Sequence, residues 1–123
     1  MKSQKFFHQN NPTSIPVPDL KMIQEHFGKV ATHSSDISIA HMIAPPGWSE
    51  PFQTPDFDEY TLMVRGKKIL EIEGEKVTVS AGESILIKKG TRVKYSNPFE
   101  EEAEYWAICT PAFSIEAVHR EDV

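Results

Sequence analysis

A chain of 123 residues has the length of one domain and can bury a core without disulfide or metal staples. Its charged fraction of 25%, hydrophobic fraction of 39% and formal net charge of −5 argue against a disordered chain. They also argue against a nucleic-acid surface, which needs Lys and Arg clustered on one face.

The single cysteine, Cys109, leaves no internal disulfide and fits a reducing compartment. No apolar run nears the ~20 residues of a membrane helix. Met1-Lys2-Ser3-Gln4-Lys5 leads into no hydrophobic signal region, so the expected location is cytoplasmic, without membrane or nucleic-acid partners. Lys67-Lys68 and Lys88-Lys89 read as solvated pairs beside hairpin turns.

Residues 1–35 are the least regular part. Asn10-Asn11-Pro12 and Pro16-Val17-Pro18 break any helix and read as an extended arm. Asp19 is placed to cap a short helix through Leu20, Ile23 and Phe27, ended by Gly28. Phe6, Phe7, Ile15 and Val17 are too apolar for a free tail, so the arm is expected to lie across a neighbouring subunit.

From Asp36 the texture changes to short β segments. Ile37, Ile39, His41 and Ile43 alternate with Ser38, Ala40, Met42 and Ala44, up to Pro45-Pro46-Gly47. Further strands are expected from Asp58 to Gly66, 68–73, 76–80, 84–88, 92–97 and 103–110, with glycines at the turns and no long helix between them. That is a sandwich or barrel pattern. The expected division is an arm over 1–35, a barrel over 36–110 and a tail over 111–123 that packs on the barrel or stays exposed.

The glycines also fall in a fixed register. After Gly47 come five residues, Gln53-Thr54-Pro55, three residues, Glu59, six residues and Gly66. After Gly82 come five residues, Lys88-Lys89-Gly90, two residues, Val93, three residues and Asn97. This resembles the two motifs of a single-domain cupin of the RmlC-like kind. The resemblance implies an all-β, cupin-type double-stranded β-helix, a jelly-roll barrel, with an irregular N-terminal arm. The acid pair Asp58-Glu59, with Ala81-Gly82-Glu83 and Lys89-Gly90-Thr91, is similar to the ethanolamine-utilisation cupins, which also lack the usual histidines.

The same resemblance implies a metal cage of three His and one Glu. Those four places hold Gln53, Pro55, Glu59 and Val93. Proline has no side-chain donor, valine is apolar and an amide oxygen is a weak ligand for first-row metals. A transition metal is therefore disfavoured and no cofactor is expected, with Glu59, His41 and Gln53 as weak metal candidates.

Without a metal, an inward Glu59 must find donors or take up a proton. Tyr95 and Asn97, in phase with Val93, are candidate donors, as are Gln53 and His41. Candidate ligand-binding residues are Gln53, Glu59, Met63, Val93 and Tyr95; candidate catalytic residues are Glu59, Tyr95 and His41. His41 reads either as a hydrogen-bonded core histidine or as a site residue, and His119 as a surface residue in a tail able to fold over the barrel mouth. Cys109 reads as a packing residue. Glu100-Glu101-Glu102 with Glu104 read as a solvated loop.

Two functions stay open. One is a metal-poor cupin that binds a small polar molecule. The other is an isomerase, lyase or dioxygenase-like enzyme using Glu59 with Tyr95 or His41, or a rebuilt metal site. Both faces of 103–110 are apolar, with Tyr105, Ala107 and Cys109 on one and Trp106 and Ile108 on the other. With the apolar arm, this predicts a homodimer.

Overall fold

The computed structural model describes residues 5–121, so the reading of the first residues as carrying no leader lies largely outside the described part. Nine strands and one helical turn follow in order: β1 (Thr13–Ser14), β2 (Met22–Phe27), β3 (Ser38–Ala44), β4 (Asp58–Arg65), β5 (Lys67–Ile72), β6 (Glu75–Ser80), β7 (Ser84–Ile87), β8 (Val93–Ser96), β9 (Ala103–Thr110) and α1 (Ile115–Val118). They pair antiparallel into a six-stranded sheet, β1-β2-β3-β9-β4-β7, and a three-stranded sheet, β6-β5-β8. These two sheets face each other as an all-β jelly roll.

The core between them holds Ala44, Trp48, Met63, Leu70, Val79, Ile87, Val93, Tyr95, Ala103, Tyr105 and Ala107. Alternation decides which side chains face it. On β9, Ala103, Tyr105, Ala107 and Cys109 are buried while their sequence neighbours are half-buried. Register carries this across the sheet: Ser38, Cys109 and Glu59 form one inward row, and Ala40, Ala107 and Thr61 the next.

The expected helix over 20–27 is instead strand β2. Its residues pair with β3, Ile23 opposite Met42 and Glu25 opposite Ala40, so Ile23 and Glu25 join the inward face. An exposed turn or two of helix has little of its own to hold it. Ladder bonds to β3 satisfy the same backbone groups and bury apolar area as well. Asp19 caps no helix: its Oδ1 accepts from the Lys21 backbone N–H at 3.2 Å and its Oδ2 from Trp48 Nε1 at 2.8 Å.

Two further expectations change for the same reason of phase. Lys68 is not solvated: only 2% of it is exposed. Lys67 is the first residue after the Gly66 turn and faces out, so Lys68 faces in with Leu70. His41 shares its face with Ile39 and Ile43, but that face is the outer one, because Ser38, Ala40 and Met42 line the interior. There, His41 Nε2 lies 2.7 Å from Glu104 Oε2. The rings of His26 and His41 each sit 5.0 Å from that of Trp106.

Beyond β9 the tail folds back. Ser114 Oγ accepts from the Ala117 N–H at 3.1 Å and starts α1, whose Val118 packs with Phe57 and Cys109 in a second small cluster. Exposed His119 lies 2.6 Å from Asp56, and Arg120 bridges to Gln53 at the barrel mouth.

Candidate functional site

Between the sheets lies a cavity of about 410 Å3, within the range of small-molecule sites. One wall is the inner face of β3, β9 and β4: Ser38, Ala40, Met42, Ala107, Cys109 and Glu59. Lys68 from β5 and Tyr95 from β8 form the opposite wall, with Tyr105 of β9 between them. At the mouth are the arm from Ile15 to Asp19, the segment from Ser49 to Gln53, and Phe113 and Arg120 from the tail.

Most charged groups here are already partnered. Glu50 Oε2 accepts from Lys21 Nζ at 3.2 Å and pairs with Arg120 at 3.3 Å. Glu25 Oε2 accepts from the backbone N–H groups of Val30 and Ala31 at 3.0 and 2.8 Å, holding the loop after β2. Arg120 Nε also donates to Gln53 Oε1 at 3.2 Å.

Glu59 and Lys68 differ. Among the described residues neither has a hydrogen-bonding or ion-pairing side chain, although both line the cavity. Instead, Lys68 Nζ sits over ring faces, 3.5 Å from the Tyr105 centroid, 4.7 Å from Tyr95 and 5.7 Å from Trp48.

Burial sets the protonation of this group. It raises the Glu59 carboxyl above its ordinary range, with Lys68 partly opposing the shift. Burial, helped by the Lys21 charge, lowers the Lys68 ammonium to about 7, against the pull of Glu59 and Glu50. The ring faces favour the ammonium by about 2 kcal/mol. Removing an ion from water costs several kcal/mol, so desolvation wins. Burial likewise pushes the Tyr95 and Tyr105 hydroxyls and the Cys109 thiol up, so each stays protonated at neutral pH. The cavity thus offers a carboxyl held above its ordinary range and an amine lowered to about 7.

Of the expected site residues, Gln53, Glu59 and Tyr95 come together in the cavity. His41 does not join them, since it pairs with Glu104 on the outer face. Val93 and Met63 are core rather than lining. Asn97 is also no partner for Glu59. It is fully buried, its Nδ2 donates to the carbonyls of Ala44, Pro45 and Glu101, and its Oδ1 accepts from Phe99 N–H.

Sequence reasoning missed Lys68, Glu50, Lys21 and Arg120. For Lys68 the signal was present: counting from the Gly66 turn puts it in phase with Leu70 and Ile72. The other three enter through loops and the tail, which carry no period to count.

The four cage positions do not fit a divalent metal. Gln53 already accepts from the cationic Arg120, Val93 is sealed in the core, and Pro55 offers only a backbone carbonyl, which accepts from Gly90 N–H at 2.8 Å. Among the described residues, no three His, Cys, Asp or Glu side chains are grouped closely enough to hold one.

Residues 40–109 match the cupin domain family. The chain is a cupin. Solved structures share its fold at low identity. The EutQ protein of Clostridium difficile superposes with a TM-score of 0.63 at 23% identity, over 93% of this chain and 78% of its own. Streptomyces PAC13, solved with uridine, gives 0.74 at 14% identity, over 98% and 92%. In sequence, this cupin is 43% identical over 107 residues to a Myxococcus xanthus protein named endoribonuclease YbeY. The match covers 87% of this chain but 36% of that protein, so the chain spans about a third of the relative's length.

Proposed function

We propose that this cupin binds a small polar molecule inside the barrel without the family's usual transition metal. The observation that carries the reading is the pairing of a cavity inside the barrel with two ionisable side chains, Glu59 and Lys68, that face it without a side-chain partner among the described residues. Side chains without a partner in the protein are free to hydrogen-bond a ligand, and one that bonds both and displaces the water around them gains free energy. The ligand has a hydroxyl, amine or carbonyl at each end and a compact body. It packs against Ala40, Met42 and Ala107, beside the Tyr95 and Tyr105 rings that line the cavity.

A second reading, an isomerase or lyase, draws on the same pair. A carboxyl shifted up and an amine shifted down, in one cavity, suit general acid and base work. Tyr95 remains beside them as a hydroxyl donor, while His41 has no part in it. The RNA cleavage named for the Myxococcus relative is not proposed. This chain corresponds to a third of that protein, and its unpartnered groups lie inside the barrel, out of reach of a polynucleotide.

A ligand-stabilisation screen of small sugars, acids and amines tests the binding reading. A compound present at about 100 times its Kd stabilises the fold by about 2.7 kcal/mol. At least one compound raises the unfolding midpoint of the wild type, and Glu59→Gln weakens its binding about tenfold or more. No stabilising compound, or equal binding by Glu59→Gln and Lys68→Met, sinks the proposal.

A further inference from the structure

We infer that Lys68 is a carbonyl trap: a small aldehyde or ketone entering the cavity condenses with its amine to an iminium, with Glu59 moving the protons. The inference rests on the cavity taking small molecules and names their class. Geometry leads to it. Lys68 Nζ ends over the Tyr105 ring, and among the described residues no carboxylate lies in ion-pairing range to hold it as an ammonium. Most lysines are useless as amine nucleophiles near neutrality because the proton blocks the lone pair.

The charged and titratable groups facing Lys68 pull in both directions, and burial decides between them. Glu59 on β4 and Glu50 at the mouth favour the charge, Lys21 opposes it, and Tyr95 and Tyr105 stay neutral. The balance puts the amine at about 7.

The chemistry balances without an oxidant or reductant. The neutral amine attacks the carbonyl carbon, the C–O π pair moves to oxygen, and an N–H proton passes to that oxygen by way of Glu59. The resulting carbinolamine loses its hydroxyl as water, taking a proton from the Glu59 carboxyl as the nitrogen lone pair forms the C=N bond. An iminium cation and a Glu59 carboxylate remain, a pair suited to abstracting a proton beside the former carbonyl. That makes lyase or isomerase chemistry on small carbonyl compounds accessible.

The test uses the full chain and acetylacetone, a compact diketone whose iminium loses a proton to give a stable, ultraviolet-absorbing enaminone. The wild type is expected to gain one equivalent, seen as the mass of the probe less one water on the peptide carrying Lys68. Lys68→Met and Lys68→Arg, both checked for strand content by circular dichroism, are expected to lose it. Glu59→Gln is expected to form it about a hundredfold more slowly, in the range of general acid–base contributions.

An adduct that survives in Lys68→Met, one spread over surface lysines, or no adduct at all overturns the inference. The probe's effect on the unfolding midpoint separates the two readings. Stabilisation without an adduct overturns the carbonyl trap and leaves the binding proposal standing. The absence of both stabilisation and adduct overturns the trap, and the wider screen then decides on binding.

Discussion

At the scale of single residues, Lys68 is a buried amine whose charged form the fold disfavours. Its folded value of about 7 lies below the ordinary 10.5, so between those limits the unfolded chain binds more protons than the native one. Stability then rises with pH across that window, by up to about 1.4 kcal/mol per pH unit, and the penalty is complete below about pH 7. Glu59 contributes with the opposite sign. Its folded value is raised, so stability falls as pH rises from its ordinary 4.5 toward the folded value. Lys68→Met removes the first effect and keeps most of the volume. It is expected to stabilise the protein by a few kcal/mol at and below neutrality, and to flatten the rise above it. Urea titrations of both proteins over that range check this. A wild type whose stability does not climb above neutrality shows that Lys68 is an ordinary ammonium.

At the scale of elements, the Gly66 turn aims Lys68 by setting the phase of β5. Gly66 has φ +72°, and a Cβ there would run into the Glu102 carbonyl. Gly66→Ala therefore adds backbone strain to a steric clash, and the expected loss is more than about 1–3 kcal/mol. Chemical denaturation measures it, and an unchanged midpoint would show that the turn yields easily. A slip of one residue to relieve the strain would exchange Lys67 with Lys68 and turn the amine out to solvent.

Legibility follows the same logic. From β3 to β9 the strands could be read from period-two alternation and glycine punctuation, because there the local pattern and the tertiary fold agree. β2 could not. The run Met22-Ile23-Gln24-Glu25-His26-Phe27 has no clean alternation, and its strand state comes from pairing with β3. Glu59 and Tyr95 were legible as site residues because they sit on regular strands at motif positions. Glu50, Lys21 and Arg120 reach the cavity from segments whose paths depend on the finished barrel. His41 misled because a strand's period gives two faces without saying which is inner. That choice was made by the small residues Ser38, Ala40 and Ala44, which pack under the opposite sheet.

At the scale of the whole molecule, the outer face of the larger sheet is unusually apolar. Register aligns Ile39, Ile108, Tyr60 and Leu86 in one row across β3, β9, β4 and β7, and brings Trp106 beside Leu62 in the next. Tyr60, Leu62, Val64 and Leu86 are 38–51% exposed. A contiguous patch of this kind on a sheet face marks an interaction surface. We propose a second copy of the chain as its occupant. A two-fold axis through the patch would lay each apolar row on its counterpart, and the charged groups beside Trp106, His41 and Glu104 with Arg65, are already paired with one another within the chain. The N-terminal arm cannot be that cover in the described chain, because β1 and β2 lie at the far edge of the sheet, beyond β3.

Light scattering at micromolar concentration is expected to give a dimer. Leu62→Lys, which places a charge in the middle of the patch on both copies, is expected to give a folded monomer. Its cavity lies on the other face of the sheet, so it should bind ligand as the wild type does. A wild-type monomer at that concentration, or a Leu62→Lys protein that remains dimeric, removes this face as the interface.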